Sequence, residues 1–283
     1  MTTIADSSAF RDGERVLPQH QAAVTLLQDR LSAPATLRLS WLDLACGRGQ
    51  IIVALDQSLS PTARAKIDFW AYDLDQDFAR ETTKTAERLG FASLNVKIGD
   101  LSDFDRILPA DQLFDFITLT NTIHEVDPRG LASLLINCIV RLTDTGTLFI
   151  YDMERIKPPE LGAVPWRRDD VRRIVRRMLD ALGATGYHPE TGLWAHKTCN
   201  SWNVQLQRQH LNVSRGEVAA RAAKAMDKTR NEISDLVQTR LTECRAALEN
   251  LTRYGAETAE EQEDKEHLLF EFWALHRSLE GRQ

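Results

Sequence analysis

Residues 40–55 read "SWLDLACGRGQIIVAL". An apolar run reaches an acid, Asp43, then sets Ala45, Gly47 and Gly49 on alternate positions before apolar residues resume at helical spacing. That pattern predicts a strand, a tight turn and a helix. Small residues in the turn let backbone approach a ligand closely, and the helix presents its positive N-terminus to it. Two ligand classes are ruled out by what stands in the stretch. The dinucleotide fingerprint GxGxxG needs a third glycine where Ile52 sits, and a phosphate loop needs GxxxxGK followed by Ser or Thr.

The same alternation continues on both sides. "HQAAVTLLQDRL" (20–31) predicts a first helix, after a polar arm at residues 1–17. "LSWLDLA", "IDFWAYDLD", "NVKIGDL", "FDFITLTNT" and "GTLFIYDM" read as five strands. Between them, "QIIVALDQSL", "QDFARETTKTAERLG" and "LASLLINCIVRL" read as helices. The Trp-rich segment "LWAHKTCNSWNVQLQRQHL" supplies a final, antiparallel pair. The expected fold is α/β: a doubly wound, mostly parallel seven-stranded sheet with helices on both faces. From about Ser214 the character changes. Ile233, Val237, Leu241, Cys244, Leu248 and Leu251 form one apolar seam on a helix of nearly forty residues, broken at Tyr254-Gly255 and followed by a second helix. The expected organisation is an arm at 1–17, a domain at 18–212 and a C-terminal helical hairpin at 213–283.

The composition narrows the function. The chain has 283 residues, 43% of them apolar and 27% charged, with a formal net charge of -6. That balance argues against bulk electrostatic binding of nucleic acid. Cys46, Cys138, Cys199 and Cys244 are scattered, with no CxxC pair, and read as reduced thiols of a cytoplasmic protein. No apolar run is long enough to cross a bilayer, so no membrane partner is expected. No residue set is read as a metal site: the acid of His124-Glu125 is followed three residues later by Pro128, where a zinc-protease motif has histidine.

The pattern Asp-x-Ala-x-Gly-x-Gly resembles the first motif of the class I S-adenosylmethionine-dependent methyltransferases, and three further stretches fall in that family's order. "FWAYDLD" ends the second strand in acid, "KIGDLSDF" follows the third, and "FDFITLTNTIHEV" contains the fourth and its exit. "LTDTGTLFIYDME" resembles the family's turn into strand five, with Thr145-Gly146 in place of the common Pro-Gly. The resemblance implies S-adenosyl-L-methionine as cofactor. Asp43 would serve its amino-acid end, with Ala45, Gly47 and Gly49 making room. Asp73 and Leu74 would lie at the ribose, Asp100 and Leu101 at the adenine, and Asn121 beneath the cofactor. Read without the family, Asp73 is equally a helix cap, Asp100 a turn aspartate and Arg48 an exposed loop residue.

Methyl transfer needs an aligned acceptor and, where that acceptor is protonated, a base. Beyond the fourth strand, "NTIHEVDPRG" offers His124 as that base, with Glu125 beside it to shift its titration. Each has a plainer reading, His124 as a backbone-bonded loop residue and Glu125 as a helix-entry acid. His20 and Gln19 are placed to close over the cofactor from the first helix. The Asn-Pro-Pro-Tyr motif of base amino-methyltransferases is missing, so a small-molecule acceptor is expected first and RNA or protein second. A binding module acting through its C-terminal helices is the rival outside enzymes. "PWRRDDVRRIVRRML" carries six arginines around a buried stripe and reads as a solvated face or as a phosphate-binding patch. The long seam points to self-association through the C-terminal helices.

Overall fold

The computed structural model describes residues 18–33, 37–156, 158–195, 200–255 and 258–280. The arm expected at 1–17 and Cys199 lie outside them. Seven strands form one sheet in the order β3-β2-β1-β4-β5-β7-β6. They are β1 (Leu39–Leu44), β2 (Ile67–Asp73), β3 (Ser93–Ile98), β4 (Phe114–Thr120), β5 (Leu142–Met153), β6 (Glu190–Ala195) and β7 (Asn200–Gln207). The sheet is mostly parallel, as expected. The order runs outward from β1 to β3 and then returns to β4 on the other side of β1. That makes a topological switch point beside the central strand, where open α/β sheets form their ligand crevice.

The chain divides into two compact units: residues 1–120, 141–150 and 205–209 in one, and 121–140, 151–204 and 210–283 in the other. In the first, β1 pairs in parallel with β2 and β4, and β2 with β3. Nearly every position of these strands except β3 is buried, which explains why they read as continuous apolar runs. Trp41, Phe69 and Phe116 meet in the core with ring centroids 4.7 and 6.5 Å from Trp41. Helix α1 (Pro18–Ser32) packs on α2 (Gln50–Ser58), and α3 (Pro61–Arg64) is a single turn between α2 and β2. Helix α4 (Gln76–Leu89) covers β2 and β3. It begins where Asp75 accepts bonds from the Asp77 and Phe78 amides and stops at Gly90, whose φ is 69°. A one-turn α5 (Phe104–Ile107) precedes β4.

One expectation is corrected in this unit. Thr145-Gly146 does not turn into β5 but lies inside it, because the strand already begins at Leu142. A Cβ at Gly146 would come 2.8 Å from the Phe114 carbonyl oxygen, so the glycine marks close packing rather than a turn.

The second unit holds α6 (Pro128–Val140), α7 (Arg168–Leu182), α8 (Arg215–Tyr254) and α9 (Ala259–Glu280). Helix α8 is a single 40-residue helix opened by a capping box, in which Ser214 and Glu217 satisfy each other's amides. It packs on α6, α7 and α9. The boundary read at 212/213 falls within the unit's last segment, 210–283. The buried side of α8 is broader than the seam read from sequence. Ile233, Val237 and Cys244 are buried, but so are Leu236, Thr229 and Arg240. Arg240 bonds the Pro165 carbonyl at 2.9 Å and pairs with Glu271 of α9, with Asp170 of α7 3.5 Å away.

Candidate cofactor and acceptor sites

The turn after β1 has the conformation its small residues permit. Ala45, Gly47 and Gly49 all take positive φ, at 54°, 54° and 79°. Glycine takes this conformation without the Cβ clash, which accounts for Gly47 and Gly49, whereas Ala45 bears that strain. The N-cap of α2 is Gly49, which brings no capping side chain to the amides of the first turn. A Cβ on Gly49 would meet Ile52 at 3.0 Å and Thr82 at 3.1 Å.

The acids around this turn divide the work. Asp43, at the end of β1, is buried and accepts a 2.6 Å bond from the Thr118 hydroxyl of β4, its register partner. Burial pushes its carboxyl up to about 7 against that bond, and the charge of Asp73 adds to the rise. Asp73, at the end of β2, accepts from the Gly47 amide at 2.7 Å with one oxygen and from the Asp75 amide at 2.9 Å with the other. It pins the glycine turn to β2, and Asp75 rather than Asp73 is the helix cap. Each carboxylate oxygen retains a second lone pair for a ligand hydroxyl. Leu74, beside it, is exposed.

Asp100 is exposed and caps the 3-10 turn Leu101–Asp103 by accepting from the Ser102 amide at 2.8 Å, so the turn reading is realised. The Tyr72 hydroxyl donates to the Asp100 carbonyl at 2.7 Å. That phenol fills the space where a Cβ on Gly99 would be, 2.4 Å from its oxygen, and so fixes the loop that bears Asp100 and Leu101. Arg48, read as an exposed loop residue, is partly buried. It pairs with Glu81 at 2.9 Å and lies over the Phe78 ring. His20 and Gln19 are buried in α1, and burial lowers the His20 imidazole to about 4.

In the second unit, Asn121 has the only positive φ of its segment 121–140, 54°, and its amide bonds the Tyr151 carbonyl at 2.9 Å. Its side-chain oxygen is buried with no partner among the described residues. Three residues on, His124 is buried, with Nδ1 2.6 Å from Oδ1 of the fully buried Asp152. The other Asp152 oxygen accepts from the His124 amide at 3.0 Å, and the His124 carbonyl accepts from the Val164 amide at 2.7 Å. Glu125 and Glu160 face the opposite ring nitrogen. Burial disfavours the charged ring, but the carboxylates of Asp152, Glu160 and Glu125 outweigh it and push it up to about 10. Asp152, with Glu154, reads from the sequence as a rim acid at the end of strand five rather than as a partner of His124, and Glu160 is the residue the sequence does not single out. Glu160 lies 35 positions beyond Glu125, and nothing in its local pattern marks it.

Several of the six arginines of α7 and its approach meet acids. Arg167 and Arg173 pair with Glu243 and Glu232 of α8, and Arg172 with Asp169. Val171, Ile174, Val175, Met178 and Leu182 make the buried stripe, as expected.

No helix of the described residues is long and apolar enough to cross a membrane. The profile of a family described as a methyltransferase domain matches residues 42–146. No curated protein matches the chain in sequence. Among solved structures, a carbon methyltransferase, CurJ, is similar at 14% identity and TM-score 0.51, over 67% of this chain and 54% of that one. The magnesium protoporphyrin IX methyltransferase of Synechocystis PCC 6803, solved with S-adenosylhomocysteine, is similar at 14% identity and TM-score 0.49, over 74% and 88%. Residues 42–146, which contain the turn at residues 43–49 and the switch point of the sheet, therefore carry the match to a methyltransferase domain, on a fold shared with a solved methyltransferase.

Proposed function

We propose that Asp43, Ala45, Gly47, Gly49, Asp73, Leu74, Asp100 and Leu101, with Asn121 after β4, hold S-adenosylmethionine, and that the methyl group goes to a small molecule. The observation that carries the cofactor assignment is the turn itself. Three alternate left-handed residues are pinned by Asp73 and open on a helix whose N-cap is a glycine. Such a turn receives the methionine end of the cofactor, and Asp73 uses its remaining lone pairs on the ribose. Asp100 serves the adenine. His124 and Glu125 serve the acceptor, with Asp152 holding the imidazole in one orientation.

A small acceptor is favoured by the residues after β4, "NTIH", which lack a base-clamping motif. Two of the six arginines around α7, Arg167 and Arg173, pair with glutamates of α8. The buried positions of α8 are covered within the chain, so self-association is not needed to hide them. The buried thiols of Cys46, Cys138 and Cys244 suit a cytoplasmic setting.

The test is transfer of labelled methyl to a cell extract, with the products separated by size and by nuclease and protease sensitivity. Label in the small, nuclease- and protease-resistant fraction is expected. Nuclease-sensitive label would replace the small-molecule reading with RNA, and label in no fraction would favour a binding module.

A further inference from the structure

His124, Glu125 and Glu160 bring one imidazole nitrogen and two carboxylates together, with one candidate ligand atom from each lying within 4.8 Å of the other two. The distances discriminate between explanations. His124 Nε2 lies 3.8 Å from Glu125 Oε1 and 3.6 Å from Glu160 Oε2. Both are too long for a hydrogen bond. They are close to the spacing of ligand atoms that share an ion, since donors about 2.0–2.2 Å from a zinc ion stand roughly 3–3.5 Å from one another.

The surroundings point the same way. His124 is 3% exposed, and its Nδ1 is held at 2.6 Å by Asp152, itself fully buried. An imidazole oriented by a carboxylate on one nitrogen, with the other turned to a ligand set, is the arrangement by which hydrogen-bonded carboxylates orient metal-binding histidines. Three carboxylates around one imidazole also leave surplus negative charge for a divalent cation to offset. Glu125 and Glu160 are half-exposed or more and line a cavity of about 430 Å³ that Asp127 and Arg277 also border. Three protein ligands beside an open cavity leave coordination positions for water or a ligand oxygen.

We propose that His124, Glu125 and Glu160 bind a divalent transition-metal ion whose open positions face this cavity and take an oxygen-donor ligand. One nitrogen and two carboxylate oxygens suit Zn²⁺ or Mn²⁺. The site shares His124 and Glu125 with the proposed acceptor site, but binding of the ion does not depend on methyl transfer. Only its use as the anchor of the methyl acceptor rests on the methyl-transfer reading, so the two are tested by different measurements.

The full-length protein, stripped with a chelator and dialysed, is titrated with Zn²⁺ by calorimetry and with Mn²⁺ by electron paramagnetic resonance. The same samples are titrated with S-adenosylhomocysteine. One ion per chain at micromolar affinity or tighter is expected, with nitrogen coupling to bound Mn²⁺. Glu160→Gln should weaken binding at least tenfold, and Glu125→Gln with Glu160→Gln at least a hundredfold. Both side chains are well exposed, so the variants should keep the wild-type unfolding curve. Glu263→Gln, on α9, should bind like wild type. No binding of either ion below millimolar concentration would overturn the proposal. So would unchanged affinity in the folded double variant, which would put the ion elsewhere. Neither outcome touches the cofactor assignment, which the S-adenosylhomocysteine titration reads separately.

Discussion

Replacing Asp73 by Asn separates two jobs that one carboxylate performs. In the folded chain its two oxygens accept from the Gly47 amide at 2.7 Å and the Asp75 amide at 2.9 Å, and the residue is 7% exposed. Asparagine offers one acceptor oxygen and one NH₂, so one of these amides loses its partner and faces a donor. A hydrogen bond to a charged group contributes about 1.5–3 kcal/mol, so Asp73→Asn should destabilise the ligand-free protein by about 2 kcal/mol. The glycine turn then loosens, and the ribose loses a charged acceptor as well. Affinity for S-adenosylhomocysteine should fall by roughly a further 2 kcal/mol, or about thirtyfold. Urea unfolding without ligand gives the first number, and calorimetric titration of the folded variant gives the second. Wild-type stability together with wild-type affinity would refute both the pinning role and the cofactor role.

Three other predictions test the surroundings. Gly49→Ala forces a side chain into a left-handed position 3.0 Å from Ile52, and thermal unfolding should show a loss of about 1–2 kcal/mol with weaker cofactor binding. Asp43, pushed up to about 7 by burial, keeps its proton in the folded state where the unfolded chain has lost it. Its contribution to stability is therefore present below about pH 4 and is lost as the pH rises toward 7, on the order of 4 kcal/mol across the window. Asp43→Asn keeps an acceptor for Thr118 and should flatten that part of the stability profile; parallel profiles for the two proteins would contradict the assignment. Arg240→Met leaves Glu271 and Asp170 facing each other without their cation, and denaturant unfolding should report a loss of about 3–5 kcal/mol.

The sequence made the parallel sheet legible because fully buried strands read as apolar runs and because Gly90 and Gly183 end helices where expected. Ala45, Gly47 and Gly49 were legible as small residues of a tight turn, but their left-handed backbone was not read, least of all at Ala45, which has a Cβ. The role of Gly99 was not. It is small because the Tyr72 phenol, 27 positions earlier in the chain, occupies its side-chain space. Asp73 was found as an acid at a strand end, but its two backbone amides could not be read, since both partners are main-chain groups. Arg240 lies outside the apolar seam read from the sequence and is nevertheless buried, because its charge is matched from two other helices. The cluster at His124 was half visible. Glu125 is adjacent in sequence, while Asp152 and Glu160 arrive by chain folding, with no periodicity to announce them.

The most direct test of the account is calorimetric titration of the wild-type protein with S-adenosylmethionine, with NAD⁺ as the control. One S-adenosylmethionine per chain at micromolar affinity and no binding of NAD⁺ is the predicted result. A folded protein that ignores S-adenosylmethionine, or that prefers the dinucleotide, would contradict it.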